Sequence, residues 1–260
     1  MHRRRKYQNL FNYILIVFIF SVLSVGLYYI YYNYIRKDKM APQVEELVKE
    51  KKKKKYSDAQ KDPIDVSNYV NELPNYRAQY GNSEIMGRLE IPNMNINTLV
   101  TRAVNNSYYL NYNLYHQWDA LGVPFFDYRN TDLANNQQIN IYGHNTRNER
   151  FLSALPFTNL DAYVDKDIFN NYRDVYLSID EKKIHYKAIA VKIISTDNEH
   201  MKVAFKNDVD FLKHMNRLLN NSLYKSEDSS ITKNDRILVL QVCHYDPPDT
   251  YLLLICKEVH

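Results

Sequence analysis

Short apolar runs separated by turn residues dominate the chain from Glu84 to the C-terminus. The runs are rich in Ile, Val, Tyr and Leu, and the turns between them hold Gly, Pro and Asn. This texture is typical of β-strands, because β-branched and aromatic side chains fit a pleated, half-buried surface. We predict strands at residues 85–91, 97–101, 122–126, 138–142, 174–179, 184–194, 236–243 and 251–259. Eight strands can close on themselves, so the predicted fold is mainly β, an eight-stranded barrel with peripheral helices.

One amphipathic helix is predicted between the sixth and seventh strands, within residues 208–221. Its apolar positions recur at helical spacing, at Phe211, Leu212, Met215, Leu218 and Leu219. We predict Asp208 as its N-cap and a structural role in covering the barrel. A second, short helix is predicted within residues 66–80 and is expected to break near Pro74.

The N-terminal region has another pattern. Residues 13–30 carry no charge, and as a helix they would span about 27 Å, close to the thickness of a bilayer core. Cations at positions 3–6 precede this segment and tyrosines follow it, where a cleaved signal peptide would have small residues. The sequence therefore predicts an uncleaved signal-anchor. Cations lie on both sides of it, so charge counting alone leaves its orientation open.

Residues 36–65 form the predicted stalk between this anchor and the folded domain at 66–260, with residues 1–35 as the tail and anchor. The stalk contains five consecutive lysines at 51–55, which would repel one another in a compact core. A solvated spacer is favoured over a patch that binds anionic lipid headgroups or teichoic-type polymers.

Composition narrows the range of functions. The formal net charge is +4 and the lysine run alone exceeds it, so no basic face for nucleic acid is indicated. Two cysteines exclude a disulfide-dense scaffold and a four-thiolate zinc site. The histidines lack metal-ligand spacing, and we expect neither a metal nor a cofactor.

Two side chains suited to covalent catalysis follow predicted strands. Cys243 ends the apolar run ILVLQV, and His144 comes after INIY and a glycine. An imidazole beside a thiol favours the thiolate and can protonate a departing amine. About a hundred residues separate the two, so only the fold can bring them together. The competing interpretation is a hydrogen-bonded histidine and a small buried cysteine without catalytic roles.

Three segments resemble the class B sortases. GVPFFDYRNTDLANNQQINIYGHNTRNERFLSAL is similar to the stretch in which a Gly-x-Φ-Φ-Asp strand leads to YGHN around the catalytic histidine. ILVLQVCHYDPPDTYLLLICKEV resembles the family's strand-Cys-loop-strand ending, and EIMGRLEIPNMNINTLV resembles its opening strands. The resemblance runs from about residue 84 to the C-terminus.

The resemblance implies a sortase-type barrel at residues 66–260, held outside the cell by an N-in anchor, a single pass through the cell membrane. Cys243 would attack a Thr-Gly or Thr-Asn bond in the C-terminal sorting signal of a surface protein or pilin. His144 would protonate the leaving amine, and an amine of peptidoglycan or of a pilin subunit would release the product. A thioester conserves the bond energy, so no cofactor is implied. The neighbouring residues Tyr142, Asn145 and Gln241 are the candidate substrate-binding residues.

The sequence departs from the family at two positions. Val242 stands where sortases have Thr, and Tyr251 stands where they have the Arg that stabilises the oxyanion. A phenol donates one hydrogen bond and carries no cationic fork. Either Tyr251 is itself the donor, or another cation reaches the site, or catalysis is impaired. The candidate cations are Arg129, Arg147, Arg150 and Arg236.

Two more residues near the predicted site have competing interpretations. His244 directly follows the nucleophile, but neighbouring side chains on an extended backbone point to opposite faces, which disfavours it as the base. Cys256 is expected to be a packed thiol, and a hairpin disulfide with Cys243 is the alternative. Two other functions also stay open: a non-cleaving module that binds surface proteins, and a cysteine peptidase whose acyl-enzyme is resolved by water.

Overall fold

The computed structural model describes residues 20–28, 64–145, 156–195 and 201–259. Contacts divide the chain into two units, residues 1–55 and 56–260. In the first unit residues 20–28 are helical. None of the helices in the described ranges combines the length and the apolar character needed to cross a bilayer. The rest of the predicted anchor at 13–30, and the stalk up to residue 63, lie outside these ranges.

The second unit is built around one sheet of nine strands. They are β1 (Ile85–Ile91), β2 (Ile96–Thr101), β3 (Phe125–Phe126), β4 (Gln138–Gly143), β5 (Asp174–Ser178), β6 (Lys183–Ser195), β7 (Tyr224–Lys225), β8 (Ile237–His244) and β9 (Thr250–Glu258). Their order is β5-β1-β2-β3-β4-β8-β9-β6-β7, and β5 also pairs with β6. That pairing closes eight strands into a barrel, with β7 attached to β6 as a ninth. The predicted eight-stranded barrel is confirmed, and β7 is the strand that the prediction missed.

Side chains alternate between the two faces of the barrel wall, and both faces are buried over much of β8. Leu238 and Leu240 belong to the larger core inside the barrel, to which all eight barrel strands contribute. Ile237 and Val239 belong to a second core on the outer face. Burial on both faces explains the continuous apolar run in this strand.

The second core is completed by the helix α3 (Asp208–Leu219), which covers the outer face as predicted. Its N-cap is Asn207, whose side chain accepts a hydrogen bond from the Asp210 backbone N–H. The predicted N-cap, Asp208, is therefore wrong by one residue. Asp208 is instead the first helical residue, where its negative charge interacts favourably with the helix dipole.

Two shorter helices, α1 (Leu73–Tyr80) and α2 (Lys166–Asn171), flank the barrel. Pro74 lies in the first turn of α1 and does not break it, because the first turn needs no intrahelical N–H donor at that position. The prediction of a helix within 66–80 broken near Pro74 was thus too long at its N-terminal end. Three segments form 3-10 helices, Pro92–Met94, Tyr108–Leu110 and Pro156–Val164.

Candidate active site

The strands β4 and β8 lie side by side and run parallel. Their register pairs Tyr142 with Gln241 and Gly143 with Val242. His144 directly follows β4, and Cys243 is the next residue after Val242 on β8. The fold therefore brings these two distant residues to the same end of neighbouring strands.

Cys243 lies on the outer face of the barrel wall. Side chains alternate between the two faces along a strand, and Cys243 falls on the same face as Ile237 and Val239, which pack on the outer face of the barrel. His144 follows β4 directly after Gly143. Both His144 and Cys243 are half-buried.

A main-chain carbonyl holds the His144 ring. Nε2 of His144 lies 2.7 Å from the carbonyl oxygen of Leu110, the last residue of the 3-10 helix Tyr108–Leu110. A carbonyl oxygen can only accept, so Nε2 carries the hydrogen and Nδ1 is the basic nitrogen of the neutral ring. Sequence reasoning missed this contact, because no side-chain motif marks a carbonyl that serves as a hydrogen-bond partner.

At Gly143, the residue before His144, the backbone of β4 packs closely against the Phe157 ring. A Cβ built on Gly143 would lie 2.5 Å from Cδ1 of Phe157, closer than real side chains approach. Phe157 belongs to the core inside the barrel. The glycine of the YGHN sequence therefore permits close packing directly beneath the histidine.

Asn145 ties the two strand ends together. Its side-chain amide donates to the carbonyl of Cys243 at 2.8 Å, and the hydroxyl of Tyr245 donates to the Asn145 carbonyl at 2.9 Å. Asn145 is buried. The structure thus gives this predicted substrate-binding residue a contact with the backbone of the nucleophile.

Burial raises the pKa of the Cys243 thiol above its ordinary value, while the backbone N–H groups of Cys243 and Asn145 act in the opposite direction without outweighing burial. A thiol with a raised pKa needs a base to take its proton if it is to attack a carbonyl. His144 is the histidine that follows β4, the strand paired with β8.

Tyr251 is the cross-strand partner of Cys243 on β9. Directly opposed residues of an antiparallel pair lie on the same face, with Cβ atoms about 4.5–5.5 Å apart. On its other side, Tyr251 has Ile194 of β6 as its cross-strand partner. Tyr251 therefore occupies the position beside the thiol at which the family's arginine was expected.

The described arginines among the candidate cations are engaged elsewhere. Arg129 makes two side-chain hydrogen bonds to Asp127 and one to the Met201 carbonyl. Arg236 pairs with Glu258 at the opposite end of β8, roughly 23 Å from Cys243 at the usual rise per residue. Arg147 and Arg150 lie outside the described residues.

The remaining predicted substrate-binding residues lie one step below the pair. Tyr142 is buried, and its hydroxyl donates to Asp127 at 2.8 Å and accepts from the Asn140 side chain. Gln241 is half-buried on the outer face, two residues before Cys243. Tyr142 therefore lies on the outer side of β4, in a cluster with Tyr109 and Phe125, and Gln241 lies on the same face of β8 as Cys243.

Asp127, at the end of the Gly-x-Φ-Φ-Asp segment, anchors this polar cluster. Burial acts to raise its pKa, but hydrogen bonds from Arg129 and Tyr142 hold the pKa below its usual value. The carboxylate is fully buried and accepts five hydrogen bonds: one from the Arg129 backbone, two from the Arg129 side chain, one from Tyr142 and one from Asn106. The resemblance to the family drew attention to Asp127, but it did not predict that this residue would hold Arg129 and Tyr142 by hydrogen bonds.

His244 and Cys256 both point away from the site. His244 is buried on the inner side, where Nδ1 contacts the Asp161 carboxylate at 2.6 Å and Nε2 contacts the Asp246 carbonyl. Cys256 lies in the core inside the barrel, and both cysteines are free thiols. His244 is thus excluded as the partner of Cys243, and the alternative of a hairpin disulfide fails because the two thiols occupy opposite faces of the sheet.

Comparisons with known proteins agree with this geometry. No protein-family model matches the chain. The chain is 26% identical over 162 residues to Sortase B of Listeria monocytogenes, a match that covers 62% of this chain and 63% of that protein. It is 21% identical over 180 residues to Sortase B of Staphylococcus aureus, which covers 68% and 71% of the two chains. The match therefore spans less than two thirds of the Listeria protein.

The fold comparison covers more of the chain. The X-ray structure of Clostridium perfringens sortase B superimposes with a TM-score of 0.65 and 25% identity, over 72% of this chain and 99% of that one. Sequence relatives, barrel topology and the positions of the two motifs point to the same family. The chain is a homologue of the class B sortases within the sortase family.

Proposed function

We propose that the protein is a sortase-type cysteine transpeptidase with Cys243 as the nucleophile and His144 as the acid/base. The observation that supports this proposal is the parallel register of β4 and β8, which runs up to Gly143 and Val242, so that His144 and Cys243 follow at the same end of neighbouring strands. Burial raises the pKa of the Cys243 thiol, so the proposed attack requires a base that takes its proton.

The reaction proceeds in two acyl transfers. His144 Nδ1 takes the proton from the Cys243 thiol as sulfur attacks the carbonyl carbon of the scissile peptide bond. The imidazolium then gives that proton to the departing amine as the C–N bond breaks, which leaves a thioester on Cys243. An incoming amine attacks the thioester, its proton passes to His144, and the imidazolium returns this proton to the Cys243 sulfur as the C–S bond breaks. No external energy source is needed, because the thioester conserves the energy of the cleaved bond.

The proposed donor is the C-terminal sorting signal of a surface protein or pilin, cut at a Thr-Gly or Thr-Asn bond. The proposed acceptor is an amine of peptidoglycan or of a pilin subunit. Two proteins of the same fold support this assignment through their bound molecules: one is described as a Staphylococcus aureus sortase B-substrate complex, and one as sortase B complexed with triglycine. In this chain Cys243 and Gln241 lie on the outer face of β8, and His144 follows the neighbouring strand β4.

For the oxyanion we propose Tyr251 as the donor. Its position opposite Cys243 supports this choice, and so does the engagement of Arg129 and Arg236 in other contacts. A preorganised donor beside the reacting carbonyl typically contributes about 100- to 1000-fold to turnover. One phenolic hydroxyl is a weaker donor than a guanidinium, so the enzyme is expected to be slower than an arginine-bearing sortase.

We further propose the setting in which the enzyme acts. Residues 13–30 would anchor it in the cell membrane as a single pass with the N-terminus inside, and the Lys-rich stalk at 36–65 would carry the domain at 66–260 outside the cell. The apolar length of residues 13–30 supports the anchor. An exterior location also suits a reaction that joins surface proteins to wall amines.

The test is amine-dependent product formation from Thr-Gly and Thr-Asn sorting peptides, followed by mass spectrometry. We expect the Cys243→Ala variant to give no product and the matched Cys256→Ala variant to keep activity, since Cys256 is buried inside the barrel. Product joined to added triglycine supports transpeptidation, whereas hydrolysed product at every amine concentration identifies a peptidase.

A non-cleaving binding module is the second candidate, and the absence of an arginine at position 251 favours it. In that case the sorting peptides bind with equal affinity to the wild type and to Cys243→Ala, and the wild type forms neither product. Equilibrium binding measured on both proteins separates the two functions.

A further inference from the structure

The Leu110 carbonyl that contacts His144 is itself fixed from two sides. The preceding residue, Tyr109, is buried, and its hydroxyl donates to the Glu84 carboxylate at 2.7 Å and accepts from the Asn82 side chain at 3.0 Å. These bonds pin the 3-10 helix Tyr108–Leu110 to the segment that leads into β1. The carbonyl that reaches His144 therefore belongs to an anchored turn.

On its other side the turn lies directly against the backbone of Gly122. A Cβ built on Gly122 would lie 2.2 Å from the Tyr109 carbonyl oxygen and 2.7 Å from the Leu110 carbonyl oxygen. The next residue, Val123, donates its N–H to the Tyr109 carbonyl at 3.1 Å. Gly122 also has φ +53°, in the left-handed region. A side chain here would force the carbonyls of Tyr109 and Leu110 and the Gly122 backbone apart.

We propose that Leu110 and Gly122 are positioning residues for His144: the Leu110 carbonyl, seated on Gly122, holds the ring with hydrogen on Nε2, so that Nδ1 is the atom that exchanges the proton with Cys243 and with the leaving amine. This inference rests on the proposed function for its catalytic consequence. The ring orientation itself follows from the 2.7 Å contact alone.

The physical reason is that a histidine can serve as acid/base at one nitrogen only if the other is held. A carbonyl accepts from Nε2–H whether the ring is neutral or protonated, so this bond persists through the whole cycle. The ring then keeps one orientation while Nδ1 gains and loses its proton. A misplacement of about 1 Å in such a group typically costs up to about 100-fold in rate.

The chain offers a matched control in Gly81. Gly81 has φ +62°, so alanine is strained there as it is at Gly122, but its Cβ would meet nothing within 4 Å. Gly81→Ala therefore reproduces the backbone strain without a steric clash against the turn that holds the Leu110 carbonyl. A difference in activity or in the His144 spectrum between the two variants therefore reports on the contact of Gly122 with the carbonyls of Tyr109 and Leu110.

The first measurement is the ¹⁵N NMR spectrum of the wild-type imidazoles, with the His144 signals identified among the 8 histidines through a His144→Gln variant. We expect the neutral ring to carry hydrogen on Nε2. A ring protonated on Nδ1 in the neutral state would overturn the proposal. This result does not depend on turnover, so it stands or falls apart from the proposed function.

The second measurement compares Gly122→Ala with Gly81→Ala. In the Gly122→Ala variant we expect the ¹⁵N spectrum no longer to show hydrogen on Nε2 alone, and kcat to fall about 10- to 100-fold with little change in KM. In the Gly81→Ala variant we expect the spectrum to keep hydrogen on Nε2 and kcat to stay within about twofold of the wild type. Equal behaviour of the two variants in both readouts contradicts the proposal. If Gly122→Ala does not fold, the wild-type spectrum still decides.

Discussion

Cys243 on β8 and Tyr251 on β9 are direct partners across an antiparallel ladder. The two residues are eight positions apart, on either side of the turn that joins β8 to β9. One hairpin therefore presents the Cys243 thiol and the Tyr251 phenol on the same face. The resemblance to class B sortases places Tyr251 where their arginine is expected. In the structure this residue lies on the same face as Cys243 and not on a distant strand.

The first prediction concerns the Tyr251 hydroxyl. Tyr251→Phe keeps the ring and removes the donor, and we expect kcat to fall about 100- to 1000-fold with KM nearly unchanged, because an oxyanion donor acts in the transition state. Tyr251→Arg restores the family's group and should raise kcat above that of the wild type. Full activity in Tyr251→Phe shows that the donor lies elsewhere, and the undescribed Arg147 and Arg150 are then the next residues to replace.

The second prediction concerns the two thiols. Iodoacetamide should modify Cys243 and leave Cys256 unmodified in the folded protein, because Cys256 is fully buried. Burial raises the pKa of Cys243 above the ordinary 9.0, so its modification rate should still be rising with pH above pH 9. Peptide mapping after timed labelling measures both effects.

Cys243→Ala is the control for that labelling, and it should take up no reagent until urea unfolds the barrel. A rate that already levels off near neutral pH would mean a stabilised thiolate at rest, and the requirement for His144 as a base during attack would then be lost.

The third prediction concerns the contact between His244, which is buried, and Asp161 on the 3-10 helix Pro156–Val164. The Asp161 carboxylate raises the pKa of His244 above its usual 6.5. The pair therefore contributes its full stabilisation below pH 6.5 and loses it as the pH rises through the raised value. Asp161→Asn should cost roughly 1–2 kcal/mol of unfolding free energy at pH 6, and distinctly less at pH 9.

Thermal unfolding at both pH values tests this effect, with His244→Gln and the double variant completing a mutant cycle. The expected loss corresponds to a fall in Tm of several degrees for a domain of this size. An equal loss at pH 6 and pH 9 would contradict the assignment of a charged His244 to this contact.

Much of the barrel could be predicted from the sequence, because strands that are buried on both faces appear as continuous apolar runs. The run ILVLQV located β8 to within one residue at its start, Ile237, and one at its end, His244. Alternation along that strand also predicted that His244 would point away from Cys243. The two-residue strand β7 escaped prediction, because it is too short to show a period.

The proposed pair, Cys243 and His144, could be identified from the motifs at the ends of two strands. The residues that hold the pair in place could not be identified from the sequence. Asn145 and Tyr142 stood beside His144 in the sequence and were expected to bind substrate, but the fold directs their polar groups to the Cys243 carbonyl and to Asp127. The Leu110 carbonyl lies 34 residues from His144 and carries no side-chain signal. Contacts of this kind depend on register and on loop packing, which residue types alone do not specify.

The central claim, that Cys243 acts as a nucleophile beside His144, is tested most directly by the intact mass of the protein after incubation with a Thr-Gly or Thr-Asn sorting peptide without an added amine. We predict a mass increase equal to the acyl fragment, located on Cys243, which disappears when triglycine or hydroxylamine is added. The His144→Gln variant should form this adduct far more slowly. An unchanged protein mass with every peptide, or an adduct that forms as fast in His144→Gln, would contradict the claim.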